Sequence, residues 1–279
     1  MMRCMYEPDQ LIEVNGVKIA VDDRNADAGG VPLVLLHGYT GSRLDFEDVI
    51  DDLAVDRRVV AWDHRGHADS TSTGDQSTYT FDHLVADVEG VLDALGIDQL
   101  DLLGHSMGGI VSMRFALAHP ERIRSLVLMD TLAAWQGAIP AEFIQMMADT
   151  ARKQGMPAYT ETVVAFEESQ DRVPPADKAR VVARARHKMA NMDLEAIEAL
   201  GRELTSFPSM LDALGTLHCP TTVLIGENDT GLIPAADAIT KAIGGAVEVV
   251  IPAAAHSPQE ENRDQWLAAV RDHLARAEA

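Results

Sequence analysis

Cysteine is nearly absent from this chain. Only Cys4 and Cys219 occur in 279 residues, which excludes a disulfide framework and a zinc-ribbon pattern. Positive charge is scarce as well: 23 Lys+Arg stand against 44 Asp+Glu, a formal net charge of −21. Nucleic acid requires a basic face and anionic lipid a basic patch, so neither is an expected partner. Long apolar runs are missing. Stretches such as Val31–Leu36 fall far short of a membrane span. Met1 to Asp9 carry no apolar segment of the secretory kind, and the expectation is a cytoplasmic protein. The chain does have apolar residues in quantity, at 47%, enough for a large core and too many for a disordered chain.

The patterning alternates strand and helix. Leu11–Val14 and Val17–Val21 flank Asn15-Gly16, a strong hairpin signal. Val31–Leu36 reads as a strand buried on both faces. Ser42 caps an expected helix to Ala54, with Asp45 completing a capping box. Arg58–Trp62, Leu100–Leu103 and Ile123–Met129 read as strands. A helix capped by Thr80 and another over Met107–Ala118 separate them. The spacing predicts a mostly parallel sheet with helices on both faces.

From Thr131 to Gly215 the rhythm is purely helical, over 141–154, 158–169, 176–190 and 193–205. It then resumes with strands at Thr221–Ile225 and Val247–Ile251 and helices at Ala235–Ile243 and Gln259–Ala277. Residues 1–130 and 216–279 are therefore expected to form one α/β core, and 131–215 a helical cap inserted into it.

Gly104-His-Ser106-Met-Gly108-Gly109 lies between a predicted strand and a predicted helix. A turn that tight needs small residues around the central serine. It projects the hydroxyl above the sheet, at the N-terminus of the following helix. A serine nucleophile needs a base and an orienting acid. His256 follows the strand ending at Ile251, where open α/β sheets place their chemistry. His187 falls in the insertion, His218 precedes a strand, and His273 is expected on an exposed helix face. For the acid, Asp229 is the first choice, Glu227 the reserve and Asp130 a third option. Gly38, after the strand 31–36, lets the chain turn so that backbone N–H groups of Tyr39 and Met107 form an oxyanion hole. His37 is read as structural. His64, His67 and Asp69 read as a packed turn. No metal site and no cofactor motif is predicted.

These motifs resemble the α/β-hydrolase fold superfamily, in its capped, serine-nucleophile branch. His37-Gly38-Tyr39, Asp63–Ser70, Gly104–Gly109, Gly226–Asp229 and His256-Ser-Pro258 fall in that family's order. The resemblance implies a nucleophile at Ser106, an acid at Asp229, a base at His256 and a cap above them. Ala68 departs from a frequent family glycine, and local adjustment is expected there. Serine at the elbow favours acyl transfer on a small-molecule ester or lactone, whereas relatives with aspartate there open halides or epoxides. The alternatives are a carbon–carbon bond or enol-lactone hydrolase and a hydrolase-like receptor with slow turnover. Trp135, Phe143, Met147 and Tyr159 are candidate acyl-pocket residues. Oligomeric state is not legible.

The insertion carries 9 Lys+Arg against 12 Asp+Glu, so most of the negative charge lies in the core. Arg180, Arg184 and Lys188 share one helix face. The plain expectation is a solvated stripe; the sharper one is an entrance that tolerates a substrate carboxylate.

Overall fold

The computed structural model describes residues 6–135, 141–169, 173 and 175–279. Eight strands form one sheet: β1 (Gln10–Val14), β2 (Val17–Arg24), β3 (Leu33–Leu36), β4 (Val59–Trp62), β5 (Leu100–His105), β6 (Ile123–Met129), β7 (Thr221–Gly226) and β8 (Val247–Ile251). Their order is β1-β2-β4-β3-β5-β6-β7-β8. β1–β2 and β2–β4 are antiparallel, and every other pair is parallel. The hairpin turns at Asn15 and Gly16, both at positive φ as that turn requires.

The helices are α1 (Glu47–Leu53), α2 (Phe81–Ala94), α3 (Met107–Ala118), α4 (Ala141–Gln154), α5 (Met156–Ser169), α6 (Pro175–Ala190), α7 (Leu194–Leu204), α8 (Leu211–Leu214), α9 (Ile233–Ala242), α10 (Pro258–Glu261) and α11 (Arg263–Glu278). Alternation along the strands sorts the core into two layers. Leu33, Leu35, Val59 and Ala61 face α1 and α11, among Phe46, Ile50, Trp266 and Val270. Val34, Leu36, Val60 and Trp62 face the opposite layer with α2, α3 and α9. Helices α4 to α8 fall between β6 and β7. α4 and α7 add Ile144, Ile197 and Leu200 to that second layer.

Several elements differ from expectation. Ser42 and Asp45 do form a capping box, but around a short 3₁₀ turn, Arg43–Phe46, from which α1 then starts. α5 and α6 begin earlier than expected, at Met156 and Pro175, because proline is tolerated in a first helical turn. The last expected helix is broken at Asn262 into α10 and α11. Ala68 sits at φ 40, the left-handed region that favours glycine. His273 is buried, not exposed, between Thr222 Oγ1 at 2.8 Å and Ser125 Oγ at 2.9 Å.

The helical segment leaves and re-enters the sheet layer at one place. The Met210 N–H donates to Ala133 O at 2.8 Å. Just before the departure, Thr131 Oγ1 donates to Ser106 O at 2.6 Å.

Candidate active site

The β5–α3 turn places Ser106 at φ 52, ψ −117, a backbone conformation that costs a non-glycine residue about 1–3 kcal/mol. The surroundings hold it there. Its N–H donates to Met129 O at 2.9 Å, and its carbonyl accepts from Gly109 N as well as from Thr131. Gly108 is obligatory by close approach, since a Cβ there would lie 2.4 Å from Leu36 O.

The loop after β8 brings His256 to this serine. Its Nε2 stands 3.1 Å from Ser106 Oγ, and its Nδ1 stands 2.7 Å from Asp229 Oδ2. A carboxylate accepts only, so Nδ1 carries the proton and Nε2 presents its lone pair to the hydroxyl. Burial alone would lower the His256 pKa. The hydrogen bond and charge of Asp229, with Glu261 adding, outweigh burial and hold it above the ordinary 6.5. His105 supports the loop through Nε2, 2.7 Å from His256 O. Burial pushes its pKa down to about 3, so it stays neutral and donates there.

The two other acid options separate. Glu227 accepts from the Ala253 N–H at 2.8 Å and thereby ties the β7 and β8 loops together. Asp130, the third option from the sequence, lies at the site: a carboxylate oxygen of Asp130, one of Asp229 and a ring nitrogen of His256 all lie within 4.8 Å of one another.

The chain at 37–39 passes against the serine, for a Cβ on Gly38 would come 3.1 Å from Ser106 Cβ. Met107 opens α3, so its N–H has no partner within the helix, and the helix dipole favours negative charge beside it. Neither the Tyr39 nor the Met107 N–H has a hydrogen-bond partner among the described residues. The Tyr39 hydroxyl donates to Ile197 O of α7, and its carbonyl meets His67 Nε2 at 2.7 Å. His37 is structural: its Nε2 accepts the His64 N–H at 2.9 Å.

Above Ser106 lies a cavity of about 240 Å³. The sheet side contributes Gly38 to Gly41, Asp45, His105, Ser106, His256, Ser257 and Glu260. The helices contribute Ile144, Glu167, Val181, Arg184, Ala185, Lys188 and Leu204. A larger depression of about 520 Å³, along α4 from Ala141 to Lys153, contains none of the site residues.

None of the four pocket candidates from the sequence lines this cavity. Tyr159 is buried among the helices, Met147 and Trp135 are half-buried against the core, and Phe143 is 49% exposed. The apolar lining comes from smaller residues. Val181 and Ala185 lie one turn apart on α6, among arginines and lysines that mask them in the sequence.

The basic stripe of α6 is paired with core carboxylates, although the Arg180 side chain stays 38% exposed. Arg184 is 3% exposed and pairs with Asp48 at 2.7 Å and Glu260 at 2.8 Å. Lys188 reaches Asp45 at 3.0 Å, and Arg180 also pairs with Asp48.

A strand–serine–helix elbow after β5 on a mostly parallel sheet, with an aspartate from the end of β7 and a histidine from the end of β8, defines an α/β hydrolase. The profile of the alpha/beta hydrolase fold family matches residues 31–263, and the chain belongs to that family; it is an enzyme of the hydrolase class. A Bacillus subtilis (strain 168) protein, provisionally named 2-succinyl-6-hydroxy-2,4-cyclohexadiene-1-carboxylate synthase, is 27% identical over 88% of this chain and 91% of its own. A thermophilic esterase from Thermogutta terrifontis superposes with a TM-score of 0.80 at 26% identity, over 97% of this chain and 100% of its own. The enol-lactonase from Burkholderia xenovorans LB400 gives a TM-score of 0.81 over 95% of this chain and 100% of its own, at 24% identity, a likeness of fold. Epoxide hydrolase B of Mycobacterium tuberculosis matches at 36%, but over only 38% of its length. Among the described residues no helix is long and apolar enough to cross a membrane.

Proposed function

We propose that this enzyme hydrolyses small carboxylic esters or lactones through an acyl-enzyme. Ser106 is the nucleophile, His256 the general base and Asp229 its orienting acid. The Tyr39 and Met107 N–H groups are the oxyanion donors, and residues 131–215 are a cap that shapes the acyl pocket. The observation that carries this reading is the 3.1 Å contact from His256 Nε2 to Ser106 Oγ at a strained elbow.

His256 takes the hydroxyl proton as Ser106 attacks the carbonyl carbon. The carbonyl oxygen becomes an oxyanion beside the two N–H groups. His256 returns the proton to the leaving alcohol oxygen, and the acyl group stays on Ser106. Water, deprotonated by the same imidazole, then releases the acid. No metal or organic cofactor is required by these steps.

A 240 Å³ cavity is below the usual range for drug-sized ligands and favours a short acyl chain. The cations lining it already face Asp45, Asp48 and Glu260. That compensation favours neutral esters over the carboxylate-bearing substrates entertained from the charge stripe. Turnover of p-nitrophenyl esters of graded chain length tests the reading. Acetate to butyrate should be preferred, and Ser106→Ala should reduce kcat at least about 10⁴-fold. Full turnover by Ser106→Ala, or a fluorophosphonate adduct located elsewhere, overturns it.

A further inference from the structure

The proposed mechanism gives no role to a buried carboxyl group beside the triad. Asp130 follows β6 at φ 44 and is 1% exposed. Its Oδ1 accepts the Gly226 N–H at 2.9 Å, which fixes its plane. Its Oδ2 is buried and meets no donor among the described residues. It shares a pocket with the Asp229 carboxylate and the His256 imidazole, all within 4.8 Å. Two ionised carboxylates this close, one of them fully buried, would repel each other strongly. A single proton resolves both problems: the bare oxygen becomes an O–H donor, and Asp229 still has an oxygen that His256 does not use.

We infer that Asp130 is a positioning residue that keeps its proton and donates it in a hydrogen bond to Asp229, fixing that carboxylate against His256. The inference rests on the proposed roles of Asp229 and His256. Burial pushes the Asp130 pKa well above the ordinary carboxylate value, and the neighbouring Asp229 charge pushes it further. The charge of His256 and the Gly226 N–H act in the opposite direction and are outweighed. Glu261 is the remaining charge that acts on this histidine. The proton on Asp130 is not transferred at any step; it stays on Asp130 and shares its hydrogen bond with Asp229.

Asparagine is the isostere of a protonated aspartate, since its oxygen can accept from Gly226 and its NH₂ can donate to Asp229. Asp130→Asn and Asp130→Ala therefore separate the readings, with kcat, KM and the acid limb of the pH profile measured on a p-nitrophenyl ester. Asp130→Asn should keep kcat within about threefold, with the acid limb unmoved. Asp130→Ala should lower kcat about 10- to 100-fold at nearly constant KM, the worth of one hydrogen bond to a charged group. The far-downfield proton resonance of His256 Nδ1–H should persist in Asp130→Asn and weaken or move upfield in Asp130→Ala. If Asp130→Asn drops kcat as far as Asp130→Ala and its acid limb moves to lower pH, Asp130 is ionised and the inference fails. It fails too if Asp130→Ala matches the parent in kcat and resonance. Failure of the hydrolase reading is seen separately, in Ser106→Ala, and the proton resonance needs no turnover.

Discussion

The two walls of the cavity are built differently. On the sheet side, position is set by backbone. Ser106 is held through its own N–H and carbonyl, and Gly38 and Gly108 admit neighbours that any side chain would displace. On the α6 side, position is set by exchangeable charges: Arg184 and Lys188 reach across the cavity rim to Asp48, Glu260 and Asp45. The sheet wall tolerates almost no change in shape. The helical wall tolerates many, provided the charges still pair. A chain built this way keeps one chemistry while its selectivity can drift.

Four experiments bear on that contrast. The largest effect is expected on the rigid wall. Asp229→Asn should lower kcat about 10³- to 10⁴-fold by upsetting the imidazole tautomer. In the parent, the proposed mechanism needs neutral His256, so activity should fall as pH drops through a value above the ordinary 6.5. In Asp229→Asn that limb should move to lower pH, because the main group raising the pKa is gone. A loss under tenfold with an unmoved limb would mean that the wall does not act as a unit.

Gly108→Ala comes next. The added methyl would lie 2.4 Å from Leu36 O, a backbone atom that cannot swing away. Urea unfolding should show a loss of about 3 kcal/mol or more. Parent-like stability would show that the elbow yields.

Arg184→Ala probes the other wall. It leaves three core carboxylates, Glu47, Asp48 and Glu260, short of a cation. Those partners are partly hydrated, so about 2 kcal/mol is expected, less in high salt. KM should change more than kcat, and fluorophosphonate labelling of Ser106 should survive. A kcat loss without a KM change would erase the distinction between the walls.

The smallest effect is on pH-dependent stability. His64 and His105 are buried on the sheet side, and burial lowers both pKa values to about 3. The unfolded chain takes up protons that these histidines refuse, so stability is full above about 6.5 and declines as pH falls toward 3. Between pH 7 and 6 each should cost roughly 0.7 kcal/mol. His256 and Asp63, raised in the fold, act in the opposite direction, so the check is a comparison: a His105→Gln variant whose denaturation midpoint falls as steeply as the parent's across that interval would contradict the assignment.

The same contrast explains what was legible in the sequence. The elbow, the Tyr39 turn and the loop of His256 are local: each depends on a strand end followed by small residues, and short-range pattern carries that. The eight-stranded sheet follows from the alternation of buried strands and capped helices. The cavity lining was not legible. Trp135, Phe143, Met147 and Tyr159 are large apolar residues of the insertion, but size does not say which neighbour a residue meets. Ile144, Val181, Ala185 and Leu204 depend on how four helices settle on the sheet. The burial of Arg184 likewise depends on carboxylates distant in sequence. His273 departs from expectation for a different reason: it lies on the same buried α11 stripe as Trp266 and Val270, and there position outweighs polarity.

The hydrogen bond from Met210 to Ala133 closes the helical segment into a loop whose ends meet. Thr131, which clamps the carbonyl of Ser106, lies on the sheet side of that closure. Everything between the two ends is thus a cassette with fixed terminals. A replacement segment need only span the same short gap to leave the elbow as it is. Engineers can graft at the same seam, keeping residue 131 with the recipient.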